Sequence, residues 1–137
     1  MRTAGEIFTL SMGLMDELDL EGRAESRDTG EYAARTPGIV NMMVAEFRIL
    51  DGEHGSFTGV ETMDDPVLRI PDAYALGVME YGLAANLLAD ENPALAGFFQ
   101  QRYEELRNIF FSRRRAGGDE KIEDLYGGIE YGQFGRW

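Results

Sequence analysis

Residues 71–93, PDAYALGVMEYGLAANLLADENP, decide the fold of this chain. The run from Tyr74 to Leu88 is apolar on almost every side, which is typical of a helix that its neighbours bury. We therefore expect Pro71–Asp90 to form the central helix of a bundle. Its glycines, Gly77 and Gly82, lower helix propensity but permit the close approach of a neighbouring helix.

An amphipathic helix follows this segment directly. Asn92 is a favourable N-cap and Pro93 a favourable first helical residue, so a tight turn should join two antiparallel helices. Gly117–Gly118 should end the second helix, and the cations of Arg113–Arg115 suit its carbonyl end. Its expected buried stripe consists of Leu95, Phe99, Tyr103, Leu106 and Phe110.

Two further helices precede this pair. Thr3 and Glu6 form a capping box. The helical spacing that follows predicts a buried face at Ile7, Leu10, Leu14 and Leu18. A second helix begins near Asp28 and contains Pro37, where we expect a kink or a division into two helices. Its expected apolar face consists of Tyr32, Thr36, Ile39 or Val40, Met43, Phe47 and Leu50.

Residues 51–66 carry glycines, acids and a proline, which indicates a loop. We expect this acidic loop to be mobile until a partner orders it. The sequence thus predicts an all-α bundle of about four helices with a long acidic loop. Residues 1–116 form the helical domain, and residues 117–137 form an extended C-terminal arm. The expected core residues are Tyr74, Tyr81, Leu83, Leu87, Phe99, Tyr103 and Leu106.

The composition restricts the classes of function. The chain has 137 residues, no cysteine and a formal net charge of −12. This length suits one domain, and the lack of cysteine excludes disulfides and thiolate metal sites. The negative charge repels nucleic acid at long range. Because no apolar run suits a membrane span or a signal peptide, we expect a soluble intracellular protein.

The sequence offers no convincing catalytic, metal or cofactor site. His54 is the only histidine, so no second one can complete a metal site. The acidic stretch that begins at Asp51 fails the calcium-loop pattern, because its sixth and twelfth positions are Ser56 and Thr62. Adjacent acid pairs point in different directions on a helix. We therefore expect a protein that is not an enzyme and needs no cofactor.

The C-terminal arm has the composition of a docking segment. Many exposed aromatic residues would invite association, and tyrosine, tryptophan and arginine are common anchors of interfaces. We expect residues 119–137 to dock on a neighbouring subunit or on another protein, with folding back onto the chain's own bundle as the alternative. The expected partner-binding residues are Tyr126, Ile129, Tyr131, Phe134, Arg136 and Trp137.

The stretch from Leu68 to Leu106, LRIPDAYALGVMEYGLAANLLADENPALAGFFQQRYEEL, resembles small head–tail connector proteins of tailed bacteriophages. The EYAART segment, with Tyr32 and Arg35, also fits this family. The closing IEDLYGGIEYGQFGRW resembles the tails of uncharacterised prophage proteins of Gram-positive bacteria. The matching positions of the main stretch are Pro71, Tyr81, Leu83, Ala84, Leu87, Asp90, Glu91, Phe99, Tyr103 and Leu106.

The resemblance implies a structural adaptor that assembles as a homo-oligomeric ring beneath the portal and offers a docking surface to tail components. Its partners would be the portal and tail-side connector proteins, with DNA only as passing cargo and no membrane. It would occur in the host cytoplasm during assembly and then in the virion. One alternative is an acidic helical regulator, encoded by a phage or prophage, that binds a basic protein. A small metal-dependent hydrolase is a third class.

Overall fold

The computed structural model describes residues 1–17 and 27–118. These residues contain five helices and no strand, with an isolated bridge between Thr3 and Pro66. The all-α prediction is therefore confirmed. The helices are α1 (Ala4–Leu14), α2 (Arg27–Leu50), α3 (Asp72–Gly77), α4 (Met79–Leu88) and α5 (Pro93–Gly118).

The chain divides into two compact units, Met1–Arg107 and Asn108–Trp137. The packing described below belongs to the first unit, which we call the helical body. Most of the predicted arm, residues 119–137, lies outside the described residues. The predicted division into residues 1–116 and 117–137 therefore stays a prediction.

The capping box at the start of α1 is confirmed. The Thr3 hydroxyl accepts a hydrogen bond from the Glu6 amide at 3.2 Å, and the Glu6 carboxylate accepts one from the Thr3 amide at 2.9 Å. The amide of Thr3, helped by the Arg2 side chain, holds the pKa of the Glu6 carboxyl below its ordinary value. Two of the four donors left open at a helix N-terminus are thus satisfied by neighbours.

The predicted buried face of α1 is partly wrong. Leu10 is 41% exposed and Leu14 is only half-buried, while Leu18 lies outside the described residues. A different row of residues at helical spacing is buried instead. It includes the small residues Ala4 and Ser11, which a pattern of large apolar residues leaves out. That buried row consists of Ala4, Ile7, Phe8, Ser11, Met12 and Met15.

The helix α2 runs without a break through Pro37, so it is not divided into two helices. The buried Thr36 hydroxyl donates to the Tyr32 carbonyl oxygen at 2.8 Å, close to the point where proline removes an amide donor. Asp28, near which we expected this helix to begin, lies within it. Its buried residues include Tyr32, Thr36, Val40, Met43, Val44 and Phe47; Ile39 is half-buried and Leu50 is exposed.

The predicted single helix Pro71–Asp90 is wrong, because the chain leaves helical geometry at Val78. There φ is −125° and ψ is −47°, so α3 ends at Gly77 and α4 begins at Met79. Glycine and a β-branched residue in sequence both have low helix propensity. A Cβ atom on Gly77 would meet nothing within 4 Å. This glycine therefore belongs to the break and does not serve the close approach that we predicted for it.

At Gly82 the predicted close approach is observed. A Cβ atom there would lie 2.6 Å from the sulfur of Met43 and 2.9 Å from two ring carbons of Tyr103. Because real Cβ atoms do not come so near to other atoms, only glycine fits without movement of a neighbour. Side chains of α2 and α5 thus meet over this one residue of α4.

The predicted core residues occupy the interior to different degrees. Tyr74, Leu83, Leu87, Phe99 and Tyr103 are buried, whereas Tyr81 and Leu106 are half-buried. The Tyr74 ring meets the Phe47 ring edge to face at a centroid distance of 4.8 Å. This geometry is a favourable one for aromatic pairs.

The start of α5 follows the sequence prediction. The side-chain oxygen of Asn92 accepts a hydrogen bond from the Leu95 amide at 3.2 Å, and Pro93 is the first helical residue. The helix extends to Gly118 with Arg115 in its last turn, as the glycine and arginine pattern predicted. Leu95 and Phe110, which we also expected in the buried stripe of α5, are half-buried.

Backbone groups of the acidic loop form hydrogen bonds with residues of α2 and α1. The Asn41 side chain donates to the Val60 carbonyl oxygen at 2.9 Å and accepts from the Val60 amide at 2.7 Å. Further along, the Gly5 amide of α1 donates to the Met63 carbonyl oxygen at 2.8 Å. Val60 is also buried, so the middle of the loop belongs to the core.

A buried arginine holds the first half of the same loop. Arg48 is only 5% exposed, and its guanidinium donates to Glu53 at 2.9 Å and to the Gly55 carbonyl oxygen at 2.9 Å. It also lies over the Phe57 ring at 5.3 Å. A loop with these contacts should be ordered without a partner, contrary to our expectation from its composition.

Candidate functional site: two grooves on the helical body

A groove of about 210 Å³ lies between α2, α4 and α5. Met42 is 54% exposed at this groove, and Met43 beside it is buried. We call it the methionine groove, because flexible thioether side chains adapt to the shape of a binding partner. Its lining residues are Met42, Met43, Glu46, Asn86, Gln100 and Tyr103.

A hydrogen-bond network fixes one wall of the methionine groove. The Tyr103 hydroxyl donates to one carboxylate oxygen of Glu46, and Arg107 donates to the other at 2.8 Å. The Arg107 guanidinium also lies over the Tyr103 ring at 5.4 Å. Because both oxygens of the carboxylate are held, this wall is rigid while the methionine side is adaptable.

The tyrosines near this groove are not suited to proton transfer at neutral pH. Burial raises the pKa of Tyr103 far above its ordinary value, and the hydrogen bond to Glu46 raises it further. Burial also raises the pKa of Tyr74 to about 12. Both phenols therefore keep their protons, and Tyr103 remains a hydrogen-bond donor.

Two side-chain amides supply acceptors to the methionine groove. The Asn86 amide nitrogen donates to the Gly82 carbonyl oxygen at 2.8 Å, and the Gln100 amide nitrogen donates to the Glu104 carboxylate at 2.9 Å. Each nitrogen keeps a second hydrogen, so each amide can both accept from a partner through its oxygen and donate to it. The groove thus combines apolar contact with a small number of polar groups, as binding sites commonly do.

A second groove, of about 560 Å³, lies where α1, the end of the acidic loop and α3 meet. Leu10 is exposed, while Met63 and Leu76 are half-buried, and these three form its apolar wall. The carboxylates of Glu6 and Asp64 also line it. We call it the acidic groove; its remaining lining residues are Thr3, Gly5 and Thr9.

The backbone around Gly5 places the loop against α1 in the acidic groove. A Cβ atom on Gly5 would lie 3.0 Å from the Met63 carbonyl oxygen. Asp65 closes the loop at this point, since its carboxylate accepts from the amides of Glu61 and Thr62 at 2.7 and 2.9 Å. These hydrogen bonds hold the pKa of Asp65 below its ordinary value. The groove is therefore formed by ordered backbone.

The residues predicted to bind a partner lie outside the described residues; they are Tyr126, Ile129, Tyr131, Phe134, Arg136 and Trp137. His54 is exposed in the acidic loop. Within residues 1–17 and 27–118, no group of three or more acidic or histidine side chains could hold a metal ion. No helix of that part of the chain is long and apolar enough to cross a membrane.

Sequence reasoning missed Glu46, Arg107 and Arg48. Glu46 and Arg107 are 61 positions apart, and no local pattern relates them. Arg48 gave one usable signal, because it directly follows Phe47, which belongs to the apolar face of α2. A charged residue at the margin of a buried stripe suggests a side chain that pairs with a buried acceptor.

Comparison with protein-family models, with curated proteins and with solved structures gives no match to this chain.

Proposed function

We propose that this protein is a structural adaptor of a tailed bacteriophage, a head–tail connector that assembles beneath the portal and offers a docking surface to tail components. It acts by assembly and not by catalysis, so it needs no cofactor. Its partners are further copies of itself, the portal and the tail-side connector proteins. It occurs in the host cytoplasm during assembly and in the virion afterwards, with DNA only as passing cargo.

The methionine groove is the observation that carries this proposal. An adaptor must accept another protein on a surface that is already formed, and the groove joins an adaptable edge at Met42 to a rigid wall at Glu46 and Tyr103. The apolar surface continues along α2, because Ile49 lies two helical turns beyond Met42 and is 75% exposed. Exposed apolar residues that share one helix face are typical of a protein interface.

A matched pair of variants tests the role of the groove. Met42→Glu places a charge at the groove and should abolish co-sedimentation with the cognate portal, because a buried unpaired charge is costly at an interface. Leu68→Glu changes an apolar residue of similar exposure, 39%, that does not line the groove. It should co-sediment normally. Equal binding by both variants would remove the groove from the proposal.

Truncation after Ala116 tests the arm, which is the other part of the proposed docking surface. We expect the shortened protein to melt at nearly the same temperature but to lose ring formation in electron micrographs of its mixture with the portal. If it melts much lower, the arm belongs to its own bundle. If rings still form, the arm has no role in assembly.

The acidic groove favours a second function, that of an acidic helical regulator which binds a basic protein. Leu10 and Leu76 offer apolar contact beside the carboxylate of Asp64, which suits an amphipathic basic segment. The chain's net charge of −12 would attract such a partner. A labelled basic amphipathic peptide should bind with a strong salt dependence and lose affinity for Leu10→Asp. No binding by the unchanged protein at low salt would exclude this function.

A further inference from the structure

Glu80 carries a buried carboxyl group, one oxygen of which has no hydrogen-bond partner. It lies in the first turn of α4, and the whole residue is only 8% exposed. Its Oε1 atom is buried and makes no hydrogen bond. An ionised carboxylate in such a place is disfavoured, because the Oε1 atom has lost water and has gained no hydrogen bond in exchange.

The backbone of Glu80 ties α4 to α1. Its carbonyl oxygen accepts a hydrogen bond from the buried Ser11 hydroxyl at 2.8 Å. Two residues earlier, at Val78, the chain leaves helical geometry between α3 and α4. Glu80 thus lies close to the break between α3 and α4, in a turn of α4 that is also hydrogen-bonded to α1.

No charged side chain of the described residues compensates Glu80. On α1 and α3, the carboxylates of Glu6 and Asp72 are both close to Arg2. On α2, Arg35 donates to the Leu87 carbonyl oxygen at the other end of α4. In the helical body, the other described charged side chains of α2 and α5 pair elsewhere or are exposed. The pairs are Arg48 with Glu53, Glu46 with Arg107 and Arg102 with Glu105, while Glu31 and Glu104 are exposed.

The pKa of Glu80 agrees with this environment. Burial raises it from 4.5 to about 7, opposed only by a hydrogen bond from the residue's own backbone. Near neutral pH the group is therefore divided between its protonated and ionised forms. The only exchange involved is a proton, which passes between the carboxyl group and solvent.

We propose that Glu80 is a proton-operated switch at the joint between α3 and α4. In its protonated form the carboxyl stays buried and α4 remains packed on α1. In its ionised form the carboxylate moves toward water, the first turn of α4 loosens, and the Ser11 hydrogen bond is lost. The break at Val78 allows this turn to move without the rest of α3. Alkaline conditions thus open this joint, and mildly acidic conditions close it.

The sign of the pH dependence follows from the raised pKa. Below pH 4.5 both the folded and the unfolded chain hold the proton, and the group has no effect on stability. As the pH rises toward about 7, only the unfolded chain releases the proton, so stability falls. Above that range both states are ionised and the loss is constant. With these two pKa values, the unfolding constant should rise on the order of 10²-fold between about pH 5 and about pH 8.

Two variants of equal charge change test the switch. Glu80→Gln keeps the shape of the side chain but cannot ionise. Glu61→Gln removes one charge from an exposed residue of the acidic loop, and so controls for the general effect of net charge. Thermal unfolding across this pH range should show the fall in stability for the unchanged protein and for Glu61→Gln, and a much flatter profile for Glu80→Gln. Identical profiles for the two variants would overturn the proposal.

A measurement on the unchanged protein covers the case in which Glu80→Gln does not fold. Carbon-13 NMR of the glutamate carboxyl groups should show Glu80 titrating near pH 7, well apart from the exposed glutamates. Hydrogen exchange, corrected for its intrinsic pH dependence, should speed up in the first turn of α4 over the same interval. A Glu80 midpoint near that of the exposed glutamates, or constant exchange in that turn, would overturn the switch.

Discussion

Replacement of Gly82 by alanine tests the tightest approach between helices in the body. The added Cβ atom would lie 2.6 Å from the Met43 sulfur and 2.9 Å from the Cδ1 and Cε1 atoms of the Tyr103 ring. The Met43 side chain can move, because a thioether is flexible. The Tyr103 ring cannot move easily, because it is buried and its hydroxyl is bound to Glu46.

Two effects of opposite sign determine the size of the change. Alanine in place of glycine inside a helix stabilises by about 0.5–1 kcal/mol. Overpacking of a filled core costs about 1–3 kcal/mol. Because neighbours on two different helices must shift, we expect the overpacking cost to lie in the upper part of its range. The net result for Gly82→Ala should be a destabilisation of about 1–2 kcal/mol.

Gly97→Ala in α5 is the matched control, since a Cβ atom there meets nothing within 4 Å. It should stabilise the protein by about 0.5–1 kcal/mol. Urea unfolding followed by far-ultraviolet circular dichroism gives both values, provided that the denaturant slope is unchanged. If Gly82→Ala stabilises as much as Gly97→Ala, then α2 and α5 do not meet over α4 as described.

Three further changes test other parts of the structure. Because Leu87 is 1% exposed, Leu87→Ala should lower the free energy of unfolding in urea by about 2–5 kcal/mol. A loss below about half a kcal/mol would place this side chain at the surface. Tyr103→Phe leaves Glu46 with one donor fewer and should cost about 1–3 kcal/mol, whereas an unchanged urea midpoint would show that the hydroxyl makes no useful bond. The Val60 amide should be well protected from hydrogen exchange, because it donates to the Asn41 side chain, and Asn41→Ala should speed up its exchange; rapid exchange in the unchanged protein would instead support a mobile loop.

The parts of the fold that sequence predicts well depend on neighbouring residues. The capping box of Thr3 and Glu6 and the turn at Asn92–Pro93 are local chemistry, and both occur as predicted. The break at Val78 was missed because the apolar pattern continues through it. A pattern records which residues avoid water, but it does not record a break in helical geometry between two buried segments.

The candidate site depends on contacts that no local pattern contains. Tyr103 was predicted to lie in the core, but its partner Glu46 is 57 positions away on another helix. The contacts of the acidic loop escape sequence reasoning for the same reason, because composition shows its glycines and acids but not the Asn41 side chain that holds Val60. The rigid wall of the methionine groove and the attachment of the loop therefore both depend on polar contacts between residues far apart in the sequence.

The fluorescence of Trp137 tests the proposed assembly role most directly. Trp137 is the chain's only tryptophan, and it belongs to the arm that we propose as a docking segment. Upon titration of the untruncated chain with its cognate portal, we predict that the emission shifts to shorter wavelength, because an anchor residue leaves water when it docks. Emission that stays at the wavelength of a hydrated indole, while the two proteins sediment together, would contradict docking through the arm.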